Sequence, residues 1–197
     1  MVIEVAPGAL LPIVGVFGLL VGSFLNVVIH RLPLGESIVF PPSHCPACET
    51  PIKPWDNVPI LSWVLLRGRC RACGNGISLR YPAVELVTAL IFVAIAARFG
   101  ASWWTAVYCL FAASLVAAAL IDHDHQIIPD SISLGGLALA LLIVPAVHAL
   151  YGASWFDALV RSLSGAATGA GVLWLVAFLH ARFSVAIGRT FEHWPGE

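Results

Sequence analysis

Charge is what this sequence has least of. Lys, Arg, Asp and Glu make up 11% of the 197 residues, where a soluble domain carries about 25%. So few charges do not cover a water-facing surface, which sets the soluble globular classes aside in favour of a membrane protein. The net charge is −1, so there is no basic field of the kind that draws nucleic acid, and no nucleic-acid partner is expected. No Lys or Arg precedes Arg31. A cleavable signal peptide opens on a positive stretch, so the first apolar run is expected to be a retained span. No repeat and no low-complexity run stands out.

What the chain has is long apolar runs. Hydrophobic residues make up 59% and the mean hydropathy is +0.91. A spanning helix needs about 20 mostly apolar residues. Five stretches meet or approach that length, at roughly 10–29, 82–97, 104–121, 132–150 and 158–180. Asn26 lies inside the first and Glu85 inside the second, and polar groups at that depth need a reason. Eight of the ten Lys and Arg residues fall on the side of the 31–81 segment, the 122–130 loop and the C-terminus, leaving Arg98 and Arg161 on the other. The positive-inside rule makes the first side cytoplasmic and the N-terminus external, with Trp103, Trp104 and Trp155 as an outer aromatic belt.

The segment 31–81 is rich in Pro, Gly, Cys and Trp and has no helical period. Within it, Cys45 and Cys48 are followed after 21 residues by Cys70 and Cys73. This C-x2-C-x21-C-x2-C spacing is close to that of a zinc ribbon. Each pair aims two thiolates at one ion, and two pairs complete a closed, structural S₄ site. A module of about 40 residues has little core of its own, so a zinc staple is physically sensible. The alternatives are disulfides, which fit a reducing cytoplasm poorly, and metal-free thiols. His44 is a spare candidate ligand, and Cys109, in the third apolar run, reads as a small lipid-facing or core residue. The expected fold class is an all-α polytopic membrane protein of about five transmembrane helices. A small loop-rich, zinc-ribbon-like cytoplasmic module is inserted after the first helix.

The third run ends in Ile121-Asp122-His123-Asp124-His125 and continues to Pro129-Asp130. A carboxylate at a membrane edge suits acid–base chemistry with a second carboxylate and a water between them. Asp122 and Asp124 are about 200° apart on a helix and do not face each other. Asp130 reads as an N-cap of the fourth span, and Asp124 as an interfacial, solvated group. A metal site on His123 and His125, or a metal transporter built on them with His148 and His180, is disfavoured. Histidines two apart point to opposite helix faces, and further intramembrane ligands are missing. Asp157 falls on the opposite membrane side, and Glu192 and Glu197 in a polar tail.

These motifs, taken in order, resemble a family. Gly22-Ser23-Phe24-Leu25-Asn26 to Arg31-Leu32-Pro33, the two C-x-x-C pairs, Pro54-Trp55-Asp56-Asn57-Val58-Pro59-Ile60-Leu61-Ser62-Trp63, Arg80-Tyr81-Pro82-Ala83-Val84-Glu85-Leu86 and the Asp122–Asp130 loop resemble the bacterial type IV prepilin peptidases. These are intramembrane aspartyl proteases of the GxGD type. The resemblance implies cleavage of the leader from type IV prepilins or pseudopilins at the cytoplasmic face of the inner membrane, for pilus assembly or type II secretion. It also implies N-methylation of the new terminus by S-adenosylmethionine, with the lipid bilayer and prepilin or pseudopilin leader peptides as partners. It puts the first catalytic aspartate on Asp122 and associates the cysteine module with methylation. Asn26 and Glu85 are candidate groups near the methyl donor, with helix–helix hydrogen bonding as an equal alternative. The regions expected are 10–100 for the N-terminal part and 103–197 for a partial peptidase region. The family's second aspartate sits in a Gly-x-Gly-Asp motif. Here Gly169-Ala170-Gly171 is followed by Val172, so a truncated chain, inactive alone as a protease, is expected. The competing expectation is a zinc-stapled membrane scaffold or pseudo-enzyme that binds pilin-type substrates without cutting them.

Overall fold

The computed structural model describes residues 7–186. It is helical, with α1 at Pro7–Arg31, α2 at Leu61–Leu65, α3 at Arg80–Phe99, α4 at Trp103–His125, α5 at Asp130–Leu150 and α6 at Trp155–Ala186. Short 3₁₀ turns occupy Leu32–Leu34 and Pro54–Asn57. Among the described residues there is no strand, only isolated antiparallel bridges at His44–Pro51 and Arg69–Gly76. Five helices are long and apolar enough to cross a membrane, in the order expected. Each begins or ends beyond its apolar run, because a helix continues through its polar ends while hydropathy registers only the apolar middle. Glu192, Glu197 and Arg189 lie outside the described residues.

The chain divides into two compact units, Met1–Leu139 and Ala140–Glu197. The first is held by α1, α3 and α4. Gly18 and Gly22, four residues apart on α1, bring two backbones together: a Cβ at Gly18 would stand 2.6 Å from Ala89 Cα, and one at Gly22 2.6 Å from Glu85 Cα. Small residues at such a spacing allow close helix contact where lipid gives no hydrophobic drive between helices. α4 contributes a buried stripe at every fourth residue, Thr105, Cys109, Ala113, Ala117 and Ile121. It joins Leu25, Ile29, Val84 and Phe92 in one core. Cys109 is thus a core residue.

At its start, α4 is capped by the Ser102 hydroxyl, which accepts from the Thr105 amide at 3.3 Å. At its end, Gln126 turns left-handed at φ 57° and donates its amide to the Asp122 carbonyl at 2.8 Å. The expected N-cap at Asp130 is corrected here. Asp130 is the first helical residue of α5, and the carbonyl ahead of it, on Pro129, accepts from the amides of Ile132 and Ser133. An acidic side chain in a first turn still complements the helix dipole. In the second unit, Pro145 and Val147 of α5 and Ala158 of α6 are buried.

Candidate functional site

The four cysteines come together. Their sulfurs all lie within 4.8 Å of one another, and they form the one group of three or more potential metal ligands among the described residues. A tetrahedral ion with Zn–S near 2.3 Å puts its sulfurs about 3.8 Å apart, and Cys45 Sγ lies 3.8 Å from Cys73 Sγ. Four thiols at that spacing fit a closed metal site with no open coordination position. His44 stands apart, exposed, with Nδ1 3.4 Å from the Pro42 carbonyl.

The two cysteine pairs are copies of one knuckle, twenty-five residues apart. In the first, the Cys45 amide donates to the Thr50 carbonyl at 3.0 Å, the Glu49 amide to Cys45 at 2.8 Å and the Ile52 amide to Ser43 at 2.8 Å. In the second, Cys70 donates to Asn75 at 2.8 Å, Gly74 to Cys70 at 2.9 Å and Ile77 to Gly68 at 2.7 Å. The residue after each second cysteine is left-handed, Glu49 at φ 56° and Gly74 at φ 75°. Segments 43–52 and 68–77 thus repeat one backbone path without repeating a sequence. Only Cys, Ala, Cys and Ile coincide between them, because the shared feature is a backbone path.

The knuckles differ electrostatically. The Thr50 hydroxyl and amide favour the Cys48 thiolate and hold that thiol down at about 6. Backbone amides of Cys73 and Ala72 lower Cys70 as well. At Cys73 the Asn75 amide lowers the value, but the neighbouring Cys48 sulfur, burial and the other cysteines outweigh it and push it up to about 11. Crowded sulfurs deprotonate one after another unless a cation compensates them. Across the module, Arg71 donates to both Asp56 oxygens, at 2.6 Å and 2.9 Å. This fork holds Asp56 below the usual carboxylate range and raises Arg71.

The module is tied to the bundle at two places, through Arg31 and Glu85, and a bond from Asn26 ties α1 to the start of α3 beside it. Arg31, buried at the end of α1, donates to the carbonyls of Ser37 and Pro41 at 3.1 and 2.8 Å. Asn26 donates to the Tyr81 carbonyl at 3.2 Å and to Gly22 at 3.3 Å. Glu85 accepts from the Ile60 amide at 2.7 Å. Both intramembrane polar residues thus join segments that are distant in sequence.

Asp122 is exposed on the last turn of α4, one residue beyond the fully buried Ile121. Its side chain has no hydrogen-bond or ion-pair partner among the described residues. Asp124 differs: Arg80 donates to both its oxygens, at 3.0 and 2.5 Å. The reading of Asp124 as merely solvated did not anticipate this pair, whose partners are 44 residues apart. The pair puts the start of α3, and hence the module, at the same end of the bundle as Asp122. His123 and His125 are exposed and belong to no cluster of metal ligands among the described residues.

Comparison with known proteins finds matches over two stretches of the chain. Residues 16–99 match the bacterial peptidase A24 N-terminal domain, and residues 109–189 match the type IV leader peptidase family. A prepilin leader peptidase/N-methyltransferase of Neisseria gonorrhoeae is 37% identical, over 91% of this chain and 68% of its own length. The chain belongs to the type IV leader peptidase family. A leader peptide-processing enzyme for type 4 prepilin-like proteins from Escherichia coli O78:H11 is 38% identical, over 92% of this chain and 70% of its own. The prepilin leader peptidase/N-methyltransferase of Stutzerimonas stutzeri is 40% identical over 83% of the chain, which spans 62% of that relative's length. No solved structure matches. Membership of this family and five span-length helices together fit an inner-membrane protein.

Proposed function

We propose that the whole protein removes the leader peptide from type IV prepilins or pseudopilins at the cytoplasmic membrane face and N-methylates the new terminus. Asp122 is assigned as one catalytic carboxylate. The observation that carries this is the contrast on the last turn of α4. Asp124 is locked by Arg80, while Asp122, in the region similar to the leader peptidases, is exposed with its carboxylate uncommitted. A bound peptide and a water can therefore reach it. Acid–base activation of that water needs a second carboxylate beside Asp122, and identifying this partner is part of the test.

Zinc is proposed for the four sulfurs of Cys45, Cys48, Cys70 and Cys73, as a structural ion that holds the two knuckles and takes no part in a chemical step. S-adenosylmethionine is proposed as methyl donor on the relatives' N-methyltransferase name. Asn26 and Glu85 are proposed as scaffold beneath its site rather than as direct ligands, since they already bond Tyr81 and Ile60. The positive-inside distribution supports a cytoplasmic module and Asp122 loop.

The test is prepilin cleavage in membranes by the whole protein and by residues 1–197, each as wild type and Asp122→Asn. In the whole protein Asp122→Asn is expected to lose about 10²- to 10⁴-fold in rate, the usual weight of a positioned acid or base. Asp124→Asn is expected to lose less. Undiminished cleavage by Asp122→Asn would remove Asp122 from the mechanism. Prepilin binding without cleavage by the wild-type whole protein would leave a scaffold.

A further inference from the structure

Residues 58–65 join the two knuckles, yet they are not built like a loop in water. The turn is held low on the bundle. The Ile60 amide donates to Glu85 Oε2 at 2.7 Å, and Glu85 lies five residues, about 7.5 Å, along α3 from Arg80. Across the seam, Gly22 stands against Glu85 and lies nine residues, about 13 Å, along α1 from Arg31. The turn thus sits beside the two helices, beyond their charged ends and toward the apolar middle.

Its backbone is satisfied from within. The Val58 amide donates to Ser62 Oγ at 3.0 Å, Leu61 to the Pro59 carbonyl at 2.5 Å and Ser62 to Val58 at 3.1 Å. Ser62 Oγ in turn donates to the Trp55 carbonyl at 2.9 Å. Ile60 has a positive φ of 58° with ψ −50°, the centre of a γ-turn closed by the bond from Leu61 to Pro59, a strained conformation that a β-branched residue avoids unless its surroundings impose it.

The side chains are arranged in the opposite sense to a solvated loop. The polar Ser62 is buried, while Val58, Leu61, Val64 and Leu65 are exposed, Leu65 by 71%. Exposed Lys53 and Arg67 bracket the segment, and Lys53 lies 5.5 Å from the centre of the exposed Trp55 ring. A basic and aromatic rim around an apolar tip suits a headgroup boundary. Irregular backbone at membrane depth needs its polar groups paired or buried in protein, and here the amides of Val58, Ile60, Leu61, Ser62 and Val64 are paired.

We propose that residues 58–65 form a re-entrant turn that dips into the lipid leaflet on the module's side, with α2 lying in the acyl region and Lys53 and Arg67 at the headgroups. The occupant of this apolar face is bilayer lipid. Glu85 is the tether that sets its depth.

The experiment uses the whole wild-type protein in nanodiscs of phosphatidylethanolamine and phosphatidylglycerol containing a phospholipid with a mid-chain diazirine. After irradiation, adducts are mapped by mass spectrometry of peptides. Lipid adducts on 58–65, at a level comparable with α4 and well above that on the knuckle 43–52, are expected. Adducts confined to the spans would overturn the proposal, as would crosslinking of 58–65 to a second protein chain in place of lipid. Glu85→Ala is expected to lower labelling of 58–65 several-fold with α4 unchanged. Unchanged labelling of 58–65 in that variant would remove Glu85 as the tether.

Discussion

The seam between α1 and α3 and the four-cysteine module achieve close packing by opposite means. In the seam, side chains are removed: Gly18 and Gly22 let the backbones meet where a Cβ would stand 2.6 Å from the opposite Cα. In the module, side chains are added toward one point, because within 32–79 only Cys45, Ser62 and Gly68 are buried. One region is damaged by gaining atoms and the other by losing four sulfurs. A helix pair in lipid gains from dispersion over a long contact. A segment of this size with so few buried groups gains far more from a metal than from its own core.

The largest effect is expected at the cysteines. Structural zinc contributes apparent binding free energies of about 10–16 kcal/mol in small peptides, so Cys45→Ser should unfold the module and leave the bundle folded. Limited proteolysis should then cut within 32–79 while the spans stay intact, and elemental analysis should show zinc lost. A module that stays protease-resistant without metal would show that it has a core after all.

A smaller effect is expected in the seam. Gly22→Leu drives a side chain into the Glu85 backbone and should cost about 1–3 kcal/mol or somewhat more. Gly169→Leu, on α6, meets nothing within 4 Å among the described residues and should fall within about 0.5 kcal/mol of wild type. Thermal unfolding of the two variants in detergent measures the difference. Equal losses would mean that the glycine stripe on α1 is not what sets the α1–α3 distance.

Legibility in the sequence divides along the same line. The spans and the cysteine cluster were readable, because apolar run length and C-x-x-C spacing are local features. Asp122 was readable as a candidate from its place at the end of an apolar run. The Gly18-x-x-x-Gly22 spacing that marks the helix contact is also a local feature of the sequence. The ion pair of Arg80 with Asp124 and the bond from Ile60 to Glu85 were not readable. Each joins residues distant in sequence, 44 and 25 positions apart, that only the tertiary fold brings together. The knuckle repeat hid for another reason: hydrogen bonds between main-chain atoms preserve its path while most side chains differ.

The smallest effect tests that repeat. Glu49 and Gly74 occupy equivalent left-handed positions, at φ 56° and 75°. A residue with a Cβ pays about 1–2 kcal/mol there, while glycine gives up about 0.5–1 kcal/mol of that advantage through its greater freedom when unfolded. Glu49→Gly should therefore stabilise the first knuckle by roughly 0.5 kcal/mol, and Gly74→Ala should weaken the second by a similar amount. The rate of zinc release to a chelator reads both, since each knuckle holds two of the four sulfurs. It should slow in the first variant and quicken in the second. If both variants shift the rate in the same direction, the two knuckles are not equivalent under load, and the likeness between 43–52 and 68–77 is one of shape alone.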